Sequence, residues 1–130
     1  MTAPHPDPAI RDDEQLRVVE NADLDRYELW NGEQFIGFEG FQRHENGTVE
    51  LQHTIIAEQF GRQGYARTLV TLLLERFRAQ GTTVRPTCTY VQDYLHRFPQ
   101  YQDLIAAGSA LPPAPAVKEK RRRWALHRSH

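Results

Sequence analysis

The sequence predicts an α+β domain, a mostly antiparallel sheet carrying a central helix and a short second helix. Three observations predict it. Short apolar runs alternate between turn signals from Leu16 to Ile56. The period then becomes helical, from Gly64 to Gln80. One more strand-like run, Thr82 to Tyr90, follows that helix and precedes a short helical pattern at about Val91 to Phe98.

The elements follow in order. Leu16-Arg17-Val18-Val19-Glu20 reads as a first strand, and Asn21-Ala22-Asp23-Leu24-Asp25 carries turn chemistry. Arg26 to Trp30 alternates as a second strand, and Asn31-Gly32 is a two-residue hairpin signal. The return strand runs from Gln34 to about Arg43. Alternation there sets Phe35, Gly37, Glu39 and Phe41 against Ile36, Phe38 and Gly40. After the turn Glu45-Asn46-Gly47, Thr48 to Ile56 alternates again and places Val49, Leu51, His53 and Ile55 on one face. In the helix, Ala66, Leu69, Val70, Leu73, Leu74 and Phe77 share a face, and Gly81 stands where a C-terminal cap is expected. Pro86 has no N–H to give a ladder, so its strand is expected to leave an edge unpaired there.

Composition bounds the rest. The chain has 130 residues, enough for one domain with a real core plus tails. Its formal net charge of −1 hides an acidic start and a basic end (Lys118, Lys120, Arg121, Arg122, Arg123, Arg128). We read residues 1–14 as a disordered acidic, proline-rich leader, 15–105 as the domain, and 106–130 as a Pro/Ala linker and basic tail. Cys88 is the single cysteine, so no internal disulfide forms and a reducing compartment is favoured. No apolar run has the length of a membrane span, and Met1 to Pro8 lacks the basic start and apolar stretch of a secretory signal. A cytoplasmic setting, with no membrane partner, is the expectation.

The stretch that carries chemistry is Gln59-Phe60-Gly61-Arg62-Gln63-Gly64-Tyr65-Ala66, between the last meander strand and the helix. Gly61 and Gly64 permit backbone conformations closed to other residues. The first N–H groups of the helix lack intrahelical partners and sit at its positive end, which suits an anion. Arg62 and Arg67 add charge, and Gln63 adds a neutral donor. The stretch is not a nucleotide P-loop, because the Lys-Ser/Thr pair is missing. An ordinary strand-to-helix turn is the plainer reading of the same residues.

Four stretches in order, Leu51-Gln52-His53-Thr54, Gly64-Tyr65-Ala66, Pro86-Thr87-Cys88-Thr89-Tyr90-Val91 and Tyr94 to Tyr101, give a more specific signal. Together they resemble the GCN5-related N-acetyltransferases, and within them a small single-domain branch with a strand cysteine. The resemblance runs from about Leu16 to Leu104. The family's pyrophosphate motif is Arg/Gln, two residues, Gly, one residue, Gly/Ala. Gly64 and Ala66 match its last two places, and its first falls on Gly61. In this branch a glycine commonly stands where Arg62 is, so glycine and polar residue look exchanged.

The resemblance implies splayed strands forming a cleft for acetyl-CoA, between the Thr48–Ile56 strand and the Cys88 strand. The pyrophosphate would meet N–H groups of Arg62, Gln63, Gly64, Tyr65, Ala66 and Arg67. The pantetheine arm would pair with backbone near Ile55, Ile56 and Ala57. An amine acceptor, a small amine or a protein lysine or N-terminus, would attack the thioester directly, with a backbone N–H near Ile56 as oxyanion donor. Cys88 would be a nucleophile, a proton donor to the leaving thiolate, or a buried small hydrophobe. His53 is a general-base candidate or a hydrogen-bonded core residue; Glu39 and Glu50 are bases or solvent-exposed carboxylates. Tyr65 covers the cofactor or packs, and Tyr90 and Tyr94 protonate a thiolate or fill core. His5, His44, His96, His127 and His130 show no metal spacing with His53, so no metal is expected. Two further readings stand beside the enzyme: an acyl-CoA-binding or sensing module without turnover, and a basic tail that binds nucleic acid or an acidic partner through charge and Trp124. A solvated extension is the preferred reading of that tail.

Overall fold

The computed structural model describes residues 7–11, 13 and 15–114. Much of the leader, and the tail with its arginines and Trp124, lie outside the described residues. Five strands form one sheet in the order β1-β2-β3-β4-β5: Leu16–Asn21, Arg26–Asn31, Gln34–Arg43, Val49–Ile56 and Val84–Pro86. The first four pair antiparallel, and β5 runs parallel to β4. Helix α1 spans Tyr65–Gln80 and α2 spans Thr89–Arg97. The mixed α+β architecture expected from the sequence is the one observed.

Helix α1 begins and ends on glycines in the left-handed region, Gly64 (φ 84°) and Gly81 (φ 69°). Its apolar stripe (Leu69, Val70, Leu73, Leu74, Phe77) is fully buried against the sheet. Burying each of these side chains contributes about 1.5–3 kcal/mol, and together they fasten the helix across β3 and β4. Phe77 meets the edge of the Tyr27 ring at 5.5 Å between centroids. Thr71 is buried as well, and its hydroxyl is 2.7 Å from the Tyr94 hydroxyl of α2. That contact ties the two helices together.

Two bulges alter the faces that strict alternation assigns. Register shifts between Leu29 and Trp30 against β3, and between Gly40 and Phe41 against β4. The first leaves Ile36 as the extra residue, the second Gln52. An extra residue turns every later side chain to the other face. Ile36, Glu39 and Phe41 are therefore buried together, while Phe35 and Phe38 stack at 6.5 Å with the Arg26 guanidinium over both rings. In β4, Val49 and Leu51 face the core but His53 and Ile55 are exposed. The expectation that His53 shares a face with Val49 and Leu51 is thus corrected by the bulge at Gln52.

Strand β5 is also shorter than the expected Thr82–Tyr90. Pro86 gives no ladder N–H, and the chain then bends so that Thr87 N and Cys88 N both donate to the Leu51 carbonyl, at 3.1 and 2.8 Å. Cys88 is consequently not a strand residue; it is the N-cap of α2. Contacts also extend beyond the expected domain limits. Arg11 lies over the Tyr65 ring at 4.5 Å and its N–H donates to Thr68, while Leu111 packs against the core and His96 reaches the Pro112 carbonyl at 2.5 Å.

Candidate active site

The parallel pairing of β4 and β5 stops at Leu51 and Pro86. Beyond Leu51, β4 continues through Gln52–Ile56 and, among the described residues, has ladder pairing only to β3. The opposite edge is open because α2, turning away at Cys88, replaces the strand that would have covered it. A short 3₁₀ turn, Glu58–Phe60, then leads to the start of α1. Between these lies a cleft of about 460 Å³, lined among others by Ile56, Gly61, Arg62, Gly64, Arg67 and Tyr90.

At one end of the cleft is the helix start. Gly64 caps α1 with no side-chain hydrogen bond, so the N–H groups of the first turn carry no capping partner. Arg67 Nε is buried without a partner among the described residues. The glycines divide the work differently from expectation. Gly61 has an ordinary φ of −65°, and the left-handed residue beside Gly64 is Arg62, at φ 61°. The position where glycine is common in the resembling branch is therefore the one that here strains a non-glycine residue. Gln63 turns its amide back onto the Gln59 carbonyl (3.1 Å), and its own carbonyl accepts from Arg11 (3.3 Å). Tyr65 is buried and meets Phe60 edge-on.

Along the open edge, Ile55 is 48 % exposed and Ile56 half-buried. Ala57 is less free than expected, since its N–H donates to the Ile36 carbonyl and its carbonyl accepts from Phe60 N, both at 2.8 Å. A strand-like ligand on this edge would therefore find open backbone on the residues before Ala57.

Where the strands splay, Glu39, Thr54 and Cys88 come together. Glu39 and Thr54 are cross-strand partners on the inward face, brought opposite by the bulge at Gln52. The Thr54 hydroxyl donates to Glu39 Oε1 and lies 3.3 Å from Cys88 Sγ. Glu39 is fully buried, and its Oε2 has no hydrogen-bond partner among the described residues. Burial pushes the Glu39 carboxyl up to about 7, against the opposing pull of the Thr54 hydrogen bond and the neighbouring Cys88 thiol. Burial likewise raises the Cys88 thiol, and the nearby Glu39 charge raises it further. Hydrogen bonds from Thr54 and from the Val91 and Tyr90 backbone at the start of α2 pull the other way without overcoming this, so Cys88 is not the ready thiolate that a low-pKa nucleophile requires.

His53 is not part of this group. Its ring covers Gly40, where any Cβ would collide with it, and meets Phe38 edge-on on the solvent face of the sheet. Glu50 also faces away from the core. It accepts from His44 (2.9 Å) and Thr87 (2.9 Å), which hold its carboxyl below the usual range. Sequence reasoning named Glu39 only as a residue with solvent exposure as the alternative. The signal it had was a lone acid in an aromatic strand, and alternation misplaced that acid's neighbours.

Comparison with known proteins fits this geometry. Residues 26–104 match the family model described as GCN5-related N-acetyl-transferase. Among solved structures, the NMR solution structure of a GCN5-like protein from Staphylococcus aureus superposes with a TM-score of 0.55 at 17 % identity. That match covers 72 % of this chain and 90 % of the other. A search of curated proteins finds no match. The chain belongs to the GCN5-related N-acetyltransferase family.

Proposed function

We propose that the protein is an acetyl-CoA-dependent N-acetyltransferase of the small single-domain branch, acting on a primary amine. The observation that carries this reading is the unpaired edge of β4 leading, through the Glu58–Phe60 turn, to a helix start with no side-chain cap. The open edge suits the amide-bearing pantetheine arm. The first-turn N–H groups of α1, with Arg62 and the unpartnered Arg67 Nε, suit a pyrophosphate. Acetyl-CoA is the activated donor there, and the chain supplies position and proton management.

In this reading Ile55 and Ile56 orient the thioester against the strand edge, and an N–H near Ile56 stabilises the developing oxyanion. Cys88 lines the thioester site, and transfer goes directly to the neutral amine. The raised thiol of Cys88 supports a protonated group rather than an acyl carrier. The exposed position of His53 favours the buried acid over His53 for handling protons. The lone cysteine supports a cytoplasmic setting.

Two measurements test it. Calorimetry should detect coenzyme A binding to the wild type, weakened at least tenfold by Gly64→Val. A β-branched residue at φ 84° cannot hold the turn that presents the N–H groups. Absence of wild-type binding would overturn the proposal. Cys88→Ala should keep coenzyme A affinity and slow, without abolishing, acetyl transfer to a primary amine, since water can replace a proton donor but not an acyl carrier. Loss of transfer, together with a stable acetyl mass on wild-type Cys88, would replace direct transfer with a covalent route.

A further inference from the structure

A buried carboxyl with one idle oxygen is costly unless something uses it. Glu39 is fully buried, has that idle oxygen, and is linked through one hydroxyl to the only cysteine of the chain. Thr54 can donate to either neighbour and accept from the other, so the three groups form a chain along which a proton can pass either way. We propose that Glu39, Thr54 and Cys88 form a proton relay in which Glu39 holds the proton, Thr54 passes it on and Cys88 delivers it to the departing coenzyme A sulfur. This rests on the acetyltransferase reading above.

The step balances as follows. The amine lone pair forms the C–N bond to the acetyl carbon, the C–S bond breaks, and its electron pair leaves on the coenzyme A sulfur. Cys88 gives its thiol proton to that sulfur. The Cys88 sulfur takes the Thr54 hydroxyl proton, and Thr54 takes the carboxyl proton of Glu39. Glu39 is left as a carboxylate. The new N-acetyl nitrogen releases its surplus proton to water, and one proton returns to Glu39 before the next cycle. The net transfer is one proton from nitrogen to sulfur.

The surroundings suit a group that exchanges protons near neutrality. Among the described residues, the groups acting on Glu39 are Thr54 from β4 and Cys88 from the start of α2, with no cation among them. Tyr90, on α2, feels the Glu39 charge together with those of Arg67 on α1 and Arg97 on α2. An arginine beside Glu39 would fix it as a permanent carboxylate; among the described residues none does. Burial leaves it able to switch. Glu39 acts through Cys88 and touches no substrate, so it is a positioning residue in this scheme.

Difference infrared spectroscopy and thiolate absorbance test the relay without an identified acceptor. Wild type should show a protonated-carboxyl stretch that titrates with a midpoint near 7. Glu39→Gln, close to isosteric, should abolish that band and lower the Cys88 thiolate midpoint by a pH unit or more, about tenfold in acidity. Thr54→Val should keep the band, shift its frequency and raise the thiolate midpoint. Coenzyme A added to wild type should shift the band. An infrared titration without such a band in wild type, or a thiolate midpoint unmoved in both variants, overturns the relay. Calorimetry of coenzyme A on the same proteins separates the two ideas. Missing wild-type binding removes the acetyltransferase reading, whereas intact binding with an unmoved thiolate removes the relay alone.

Discussion

Glu50 and Glu39 lie on opposite faces of the sheet, one before and one beyond the bulge at Gln52, and the fold treats their carboxyls in opposite ways. Glu50 stands where β4 and β5 are still paired, and His44 and Thr87 donate to its two oxygens. Its carboxylate is favoured. Glu39 stands where the strands have parted, with Thr54 donating to one carboxyl oxygen and the other without a partner among the described residues, and its neutral acid is favoured. Both are single glutamates on strands of one meander. The difference teaches that donor count and burial, more than residue type, decide which acid can exchange a proton near neutral pH.

The comparison can be broken first through pH. The folded pKa of Glu39, about 7, lies above its unfolded value of 4.5, so the native state keeps a proton that the unfolded chain releases. Stability should therefore fall as pH rises from about 4.5 through about 7, by up to about 3 kcal/mol from this group. Urea denaturation between pH 5 and 8 should show the slope in wild type and its loss in Glu39→Gln. The depressed pKa of Glu50 predicts the reverse. Its contribution is present above 4.5 and disappears as the pH falls through its folded value.

A second, smaller effect should come from Thr54→Val, which keeps the volume but removes the hydroxyl that donates to Glu39 Oε1. We expect a loss of about 1–3 kcal/mol, larger at pH 8 than at pH 5, because the charged form suffers most. An equal loss at both values would mean that packing, and not the hydrogen bond, matters there. Arg62→Gly should raise stability by about 0.5–1 kcal/mol in thermal melts by relieving the left-handed backbone, while weakening coenzyme A affinity through loss of charge. Arg62→Ala should weaken affinity without the gain. Smallest of all, Glu50→Gln should cost less than about 1 kcal/mol, since its partners are partly solvated.

Much of the fold could be read from the chain. The Gln34–Arg43 strand and the Gly64 and Gly81 limits of α1 follow from turn chemistry and periodicity, and the structure repeats them; the hairpin expected at Asn31-Gly32 is present one residue later, with Asn31 paired to Gln34 and Gly32-Glu33 as its loop. The side-chain faces did not follow. A bulge adds one residue without any compositional mark, so Gln52 looks like an ordinary polar strand position, and counting by two carried His53 inward and hid the partners of Glu39. Cys88 was placed on a strand because Thr87, Cys88 and Thr89 have strand composition; the Leu51 carbonyl, which captures two successive N–H groups, is a tertiary acceptor that local sequence does not display. The turn before α1 is legible as a turn, but its left-handed residues are Arg62 and Gly64, with Gly61 in an ordinary conformation.

The open side of β4 has a consequence for the protein's behaviour in concentrated solution. Edges of sheets invite any extended chain of suitable length, and Gln52–Ile56 offers one, carrying the half-exposed Ile55 and neither a proline nor a lysine to discourage a visitor. Whatever normally occupies this groove also denies it to a second copy of the protein. Without its ligand, the molecule should be the form that self-associates, slowly and through this strand, and light scattering with and without coenzyme A would show the groove's occupant acting as a solubilising agent.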